Sequence, residues 1–96
     1  MDLKAFRDSL SESSAPATLS SALLGLWLDA NGDWDGAHRA VQSESSDDAT
    51  WVHAYLHRKE GDLSNAAHWY TKTGRSASVV SLDQEWESIA TSVLTP

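Results

Sequence analysis

Cysteine is absent from this 96-residue chain, and basic residues are few. Without thiols the chain has no disulfide framework, no cysteine nucleophile and no cysteine-based zinc site. Its 7 lysines and arginines face 14 acidic residues, which gives a net charge of −7. Since a basic face that follows phosphates is not available, we expect neither a nucleic-acid partner nor binding to an anionic membrane surface.

Long hydrophobic runs are missing as well. The longest, from Ala22 to Leu28, is far shorter than the roughly 20 apolar residues of a membrane-spanning helix. The first residues, Met1 to Lys4, lack the basic region followed by an apolar stretch that marks a secretion signal. We therefore expect a cytoplasmic protein.

Catalytic signatures are also absent from the sequence. No Gly-x-Ser-x-Gly elbow, phosphate-binding loop or dinucleotide-binding turn occurs. The acidic pairs Asp33/Asp35 and Asp47/Asp48 fall at expected helix starts, where capping and the helix dipole favour aspartate. Because nothing supplies a nucleophile, a base and an oxyanion donor together, we expect no enzymatic activity, no catalytic residues and no cofactor.

What the chain does contain is one short pattern that occurs twice. The segment Gly32–Ala37, with the sequence GDWDGA, returns 29 residues later as Gly61–Ala66, with the sequence GDLSNA. Each copy follows a helix-like apolar stretch and opens another, so that the glycine ends one helix and the aspartate caps the next. Such repetition is typical of stacked helix–turn–helix units.

Hydrophobic periodicity predicts five or six helices in a single domain over residues 1–96. A short helix over 2–10 and a Ser-rich linker precede two repeat units, at about 19–45 and 48–74. The helix from Thr18 to Ala30 is apolar over so wide an arc that it must be covered on two sides. On the fifth helix, four residues are expected to face inward: Leu63, Ala66, Ala67 and Tyr70.

The last predicted helix covers about 82–94 and begins with a capping box of Ser81 and Gln84. Its single apolar face suits an end cap on a stack of helices. The expected fold is therefore all-α, a short right-handed array of antiparallel helix pairs with a C-terminal capping helix.

Residues 19–74 resemble tetratricopeptide and Sel1-like repeats. The tetratricopeptide pattern places Trp-x2-Leu-Gly-x2-Tyr on a first helix and Ala-x3-Phe or Tyr on a second. Matching positions are Ser21, Leu24, Gly25, Leu28, Ala37 and Val41 in unit one, and Thr50, His53, Ala54, His57, Ala66 and Tyr70 in unit two. The period of 29 is shorter than the usual length of about 34 residues. Small residues at Gly25, Ala37, Ala54 and Ala66 let paired helices approach closely.

Two shorter segments carry further resemblances. Asn65–Lys72 is similar to the Trp-Tyr signature of Sel1 repeats. Trp51–Asp62 resembles part of a small bacterial family of unassigned role, which implies no function.

The repeat resemblance implies a non-catalytic protein–protein interaction module. In tetratricopeptide arrays the first helices line the concave face, which in unit two comprises Trp51, Tyr55, Arg58 and Lys59. Two aromatic rings with two cations favour an acidic or C-terminal peptide, and a second copy could instead cover the face in a homodimer. The alternative is that the aromatics pack under the N-terminal helix while the cations pair with nearby acids, Glu60 or Asp62.

Two histidines point to a function of a different class. His53 and His57 lie four residues apart on one helical face, with Glu60 three residues further on. Since His-x3-His is a metal-ligand spacing, the alternative function is a His-based metal-binding protein or small metalloenzyme.

The repeat alignment favours a structural role for the same two histidines. Their counterparts in unit one are Leu24 and Leu28, which are expected to face the partner helix. Packed, hydrogen-bonded core histidines are therefore the main interpretation, and no metal is expected. His38 and His68, both on second helices, complete a metal site only if the geometry brings them near.

Overall fold

The computed structural model describes residues 1–95 and contains, over that range, six α-helices and no strand. The helices are α1 (Leu3–Ser9), α2 (Ser21–Ala30), α3 (Trp34–Val41), α4 (Asp47–Glu60), α5 (Leu63–Lys72) and α6 (Leu82–Leu94). The all-α prediction is confirmed. None of the helices in this range has both the length and the apolar character needed to cross a membrane.

The predicted start of the second helix at Thr18 is wrong by three residues. The Ser20 hydroxyl accepts a hydrogen bond from the Leu23 backbone N–H at 3.3 Å and so caps a helix that begins at Ser21. A serine in this role satisfies one of the free N–H groups of the first turn. The preceding Leu19 packs against the core as part of the linker.

The two copies of the repeated sequence pattern form two turns with similar backbone geometry and similar caps. Gly32 and Gly61 adopt left-handed φ angles of 82° and 90°, which cost glycine little because it has no Cβ. The Asp33 and Asp62 carboxylates each accept a hydrogen bond from the backbone N–H three residues on, at 2.9 Å and 3.3 Å. Both turns therefore end one helix and cap the next in the same way.

Helix α6 was expected at the end of the helix stack, but the contacts between helices place it on one side. Helix α2 packs on α3, α4 packs on α5, and α4 also contacts both α2 and α3. Helix α6 lies across α2 and α4, the first helices of the two pairs, and α1 packs on α6. The C-terminal helix therefore covers the flank of the array formed by these first helices.

The main hydrophobic core extends through α1, α2, α3, α4 and α6. Its largest members, all less than 8% exposed, are Phe6, Leu26, Trp27, Val41, Val52, Tyr55, Leu56, Trp86 and Ile89. The Phe6 and Trp86 rings stack with centroids 5.6 Å apart, which anchors the short α1. Each buried aromatic ring contributes a large apolar contact area, which helps to stabilise a small domain.

Helix α5 buries less of its surface than its pattern predicts. Ala66 and Tyr70 are buried against Ala54 of α4, but Leu63 is 67% exposed and Ala67 is also exposed. The expectation that Leu63 and Ala67 face inward is wrong. The reason is that α5 packs mainly on α4, with the Tyr70 hydroxyl reaching Glu85 of α6, so a narrow stripe of α5 is covered.

Gly25 lies where α2 packs tightly against both α3 and α4, and it allows a test of the packing. A Cβ atom at Gly25 would lie 3.0 Å from Val41 Cγ1 and 3.1 Å from Val52 Cγ1. We expect Gly25→Leu to lower the free energy of unfolding by about 3 kcal/mol or more, because the core must open to admit the side chain. Chemical denaturation followed by circular dichroism measures the loss.

The matched control for Gly25→Leu is Ala67→Leu, on the exposed surface of α5. That substitution is expected to change the free energy of unfolding by less than about 0.5 kcal/mol. Equal effects at the two positions would contradict the close approach of the three helices at Gly25.

Candidate functional site

The structure covers part of the predicted peptide-binding face with other helices of the chain. Tyr55 is 2% exposed, and its hydroxyl donates a hydrogen bond to Asp29 Oδ2 at 3.0 Å. Burial and the nearby Asp29 carboxylate raise the pKa of Tyr55, which keeps the hydroxyl protonated as a donor. Lys59 Nζ lies 2.9 Å from the other oxygen of the same carboxylate. Tyr55 and Lys59 thus join α4 to α2.

The other two residues of that face are bound to α6. Arg58 Nη1 pairs with Glu85 Oε1 at 2.8 Å, and Trp51 Nε1 donates to Glu85 Oε2 at 3.1 Å. The same oxygen accepts a hydrogen bond from the Tyr70 hydroxyl at 2.6 Å. Glu85 is 2% exposed, so three donors surround a buried carboxylate. This arrangement follows the rule that buried charges are kept only when they are paired and hydrogen-bonded.

The predicted face on α4 is accessible only in part, since Lys59 is exposed while Trp51 and Arg58 are half-buried. Tyr55 is buried, and Trp51 is half-buried with the Arg75 guanidinium 3.9 Å from its ring centroid. The cations pair with Asp29 and Glu85, and not with Glu60 or Asp62 as the alternative interpretation had it. The physical reason is that α6 occupies the flank on which a peptide would lie.

The structure does bring three histidines together. His38 of α3 meets His53 and His57 of α4, and one ring nitrogen from each lies within 4.8 Å of the others. The closest pair is His38 Nε2 and His53 Nε2, which are 3.0 Å apart. His53 and His57 are 4% and 6% exposed, whereas His38 is half-buried and leaves the cluster open to water on one side.

Two tryptophans hold these imidazole rings in place. Trp34 stacks on His38 with ring centroids 5.1 Å apart, and Trp69 stacks on His53 at 4.0 Å. Each indole is itself fixed: Trp34 Nε1 donates to the Leu56 carbonyl oxygen at 2.8 Å, and Trp69 Nε1 donates to an asparagine side chain at 3.0 Å. Packing against these indoles therefore fixes the orientations of the His38 and His53 rings in the metal-free protein.

Burial keeps two of the histidines uncharged at neutral pH. It lowers the pKa of His53 from 6.5 to about 4, with the neighbouring His38 and His57 adding to the effect. Burial and His57 also lower the pKa of His38. An uncharged imidazole keeps a nitrogen lone pair, which is the form that binds metal ions.

The remaining residues of the sequence-predicted metal site fall on either side of this cluster. Glu60 Oε2 lies 2.5 Å from His57 Nδ1, on the side facing the α4–α5 turn. His68 is exposed and lies against Trp69, outside the group of converging nitrogens. The sequence pointed to His53 and His57, and the structure adds His38 as the third member.

The cluster fits a transition-metal ion in ligand type and spacing. In tetrahedral zinc sites with Zn–N bonds of about 2.0–2.1 Å, neighbouring nitrogens are about 3.3 Å apart. The His38 and His53 nitrogens are 3.0 Å apart and the His57 nitrogen is within 4.8 Å of both, so small ring movements would bring three of the four ligands of such a site to this spacing. Imidazole donors suit zinc, copper and nickel, whereas magnesium and calcium prefer oxygen ligands.

Comparison of the chain with protein-family models, with curated proteins and with solved structures found no match.

Proposed function

We propose that this protein binds a transition-metal ion of the zinc, copper or nickel type through His38, His53 and His57. The observation that supports the proposal is the convergence of three histidine rings. Three imidazoles from two helices direct ring nitrogens to within 4.8 Å of one another. The His53 and His57 rings are buried, and packing against Trp34 and Trp69 limits the movement of His38 and His53.

A purely structural role accounts for the pairing of these rings, because His38 lies 3.0 Å from His53 and the His57 ring lies 2.5 Å from a carboxylate. It does not explain why three imidazoles converge at one point. In the first repeat the positions of His53 and His57 hold Leu24 and Leu28, so the fold accepts apolar side chains at these positions. Burying a polar ring costs free energy unless each nitrogen finds a partner, and leucine avoids that cost. Convergence of a third imidazole, from another helix, adds a further desolvated polar group. A bound metal ion gives all three rings a common partner.

The proposed frame for this site is a pair of tetratricopeptide-like or Sel1-like units. Support comes from the two identical turn geometries and from the packing of α2 on α3 and of α4 on α5. In this frame His38 belongs to the first unit, and His53 and His57 belong to the second. The metal would therefore link the two units, and binding would stabilise the fold.

Zinc titration of the chelator-treated protein tests the proposal. We expect calorimetry and native mass spectrometry to show one Zn²⁺ ion per chain. His53→Ala should weaken binding at least about 100-fold, because a three-nitrogen site loses one of its ligands. Quenching of the tryptophan fluorescence by Cu²⁺ gives an independent readout, since Trp34 and Trp69 lie against the ligand rings.

The matched control is His68→Ala, which removes an exposed histidine outside the cluster. This variant should bind Zn²⁺ as tightly as the wild type. A wild-type protein that takes up none of Zn²⁺, Cu²⁺ and Ni²⁺ would overturn the proposal. Equal losses in the two variants would overturn it as well, because binding would then be nonspecific.

A further inference from the structure

We infer that Glu60 is a positioning residue that prepares His57 to bind the metal through Nε2. The inference rests on the proposed metal binding and adds to it the residue that sets one ligand. Glu60 Oε2 lies 2.5 Å from His57 Nδ1, within hydrogen-bond distance. The Glu60 side chain is 39% exposed and that of His57 is 8% exposed, so the contact lies at the edge of the cluster.

The end of α4 holds the two residues in register. His57 and Glu60 are three residues apart on the last turn, and this spacing places side chains on the same helical face. Gly61, with φ of 90°, ends the helix directly after Glu60. The Asp62 N–H donates to the His57 carbonyl oxygen at 3.0 Å, which closes the final turn around this pair. The contact is therefore built into the helix terminus.

The chemistry of the contact determines which nitrogen of His57 carries the proton. An ionised carboxylate only accepts hydrogen bonds, so the His57 nitrogen facing Glu60 must be the donor, Nδ1–H. In the uncharged form of the ring, the lone pair then lies on Nε2. Metal-bound histidines commonly donate their second ring N–H to a carboxylate in this manner, which fixes the ring and raises its basicity as a ligand.

His38 and His53 differ from His57 in the position of their ring protons. His38 Nε2 and His53 Nε2 are 3.0 Å apart, and a hydrogen bond between them requires a proton on one of the two nitrogens. Binding metal through both Nε2 atoms would require that proton to leave. His57 needs no such change, because Glu60 already holds its proton on Nδ1. We therefore assign His57 as the ligand that is fully prepared in the metal-free protein.

Glu60→Gln tests the inference on the full chain, with Zn²⁺ as the probe. Glutamine keeps the size of the side chain but its amide can also donate to Nδ1, which would move the proton of His57 to Nε2. We expect Zn²⁺ affinity to fall about 10- to 100-fold while the stoichiometry stays at one ion. In metal-free protein, ¹⁵N NMR should show the Nδ1–H form of His57 in the wild type and a loss of that form in Glu60→Gln.

Asp62→Asn is the matched control for the acidic side of His57. His57, Glu60 and Asp62 form a second group with ligand atoms within 4.8 Å of one another. Asp62 caps α5 through Oδ1, and asparagine caps a helix equally well. We expect Asp62→Asn to keep both the Zn²⁺ affinity and the Nδ1–H form of His57.

The outcomes separate this inference from the proposed function. A wild type without metal affinity overturns the proposed function. A wild type that binds Zn²⁺, with Glu60→Gln binding as tightly and keeping its Nδ1 proton, overturns only the positioning role. Two ions in the wild type and one in Glu60→Gln would make Glu60 a direct ligand of a second ion, which also overturns the positioning role.

Discussion

Replacing Arg58 with methionine is expected to lower the free energy of unfolding by about 3–5 kcal/mol. Arg58 lies 2.8 Å from Glu85, and the two side chains are 18% and 2% exposed. Methionine keeps most of the apolar stem but leaves the Glu85 carboxylate buried without its cation. Removing one partner of a buried ion pair is costly because the remaining charge is neither solvated nor compensated. Urea denaturation followed by circular dichroism measures the change.

A second ion pair on α6 provides the control for Arg58→Met. Arg7 and Glu87 are 3.4 Å apart, with side chains 49% and 52% exposed. Since exposed pairs are screened by water, Arg7→Met should cost less than about 1 kcal/mol. Adding Glu85→Gln to Arg58→Met should restore part of the lost stability. Equal losses for Arg58→Met and Arg7→Met would contradict the buried network.

The second large effect concerns pH and the buried His53. Its pKa is lowered from 6.5 to about 4 in the folded protein, so between these values the unfolded chain binds more protons. Stability from this residue is therefore complete above pH 6.5 and is lost as the pH falls toward 4. The loss amounts to at most about 3 kcal/mol. The lowered pKa of His38 acts in the same direction.

Denaturation at a series of pH values, with a chelator present throughout, measures this dependence. As the pH falls through the window, the unfolding free energy of the wild type should decrease relative to that of His53→Leu by up to about 3 kcal/mol, because leucine does not titrate. His68→Leu, at an exposed position, should keep the wild-type profile. A pH profile unchanged in His53→Leu would show that His53 does not titrate between these pH values.

The helices and most of their ends could be predicted from the sequence because local signals determine them, and the start of α2 is the exception. Serine or aspartate caps each of the six helices, and glycines with positive φ follow α2, α4 and α5. These residues act within one turn of the backbone, where capping rules are reliable. The burial of His53 and His57 also agrees with the repeat alignment, since their counterparts are leucines.

The position of α6 could not be predicted in the same way. Its apolar stripe indicates that one face is covered, but does not say by which helix. The signal that was missed is Glu85, which stands beside Trp86 on the inner side of that stripe. A carboxylate there requires donors, which are supplied by Arg58, Trp51 and Tyr70. Residues that were predicted to bind a partner peptide thus form hydrogen bonds within the chain.

The proximity of His38 to His53 and His57 could not be predicted from the sequence for a related reason. His38 is 15 residues from His53, on a different helix, and only the packing of α3 against α4 brings the two rings together. Helical periodicity relates residues on one helix, as it does for His53 and His57. It carries no information about the distance between side chains on separate helices.

The three clustered histidines come from α3 and α4, which belong to different units of the proposed repeat. This position restricts where further repeat units could be inserted into the chain. In a stacked array each unit contacts only its neighbours, so units can be added wherever a junction can open. A unit inserted between α3 and α4 would carry His38 away from His53 and His57. The same insertion after α5 would leave the three rings together. If the chain is such an array, added units are compatible with the proposed metal site only outside this junction.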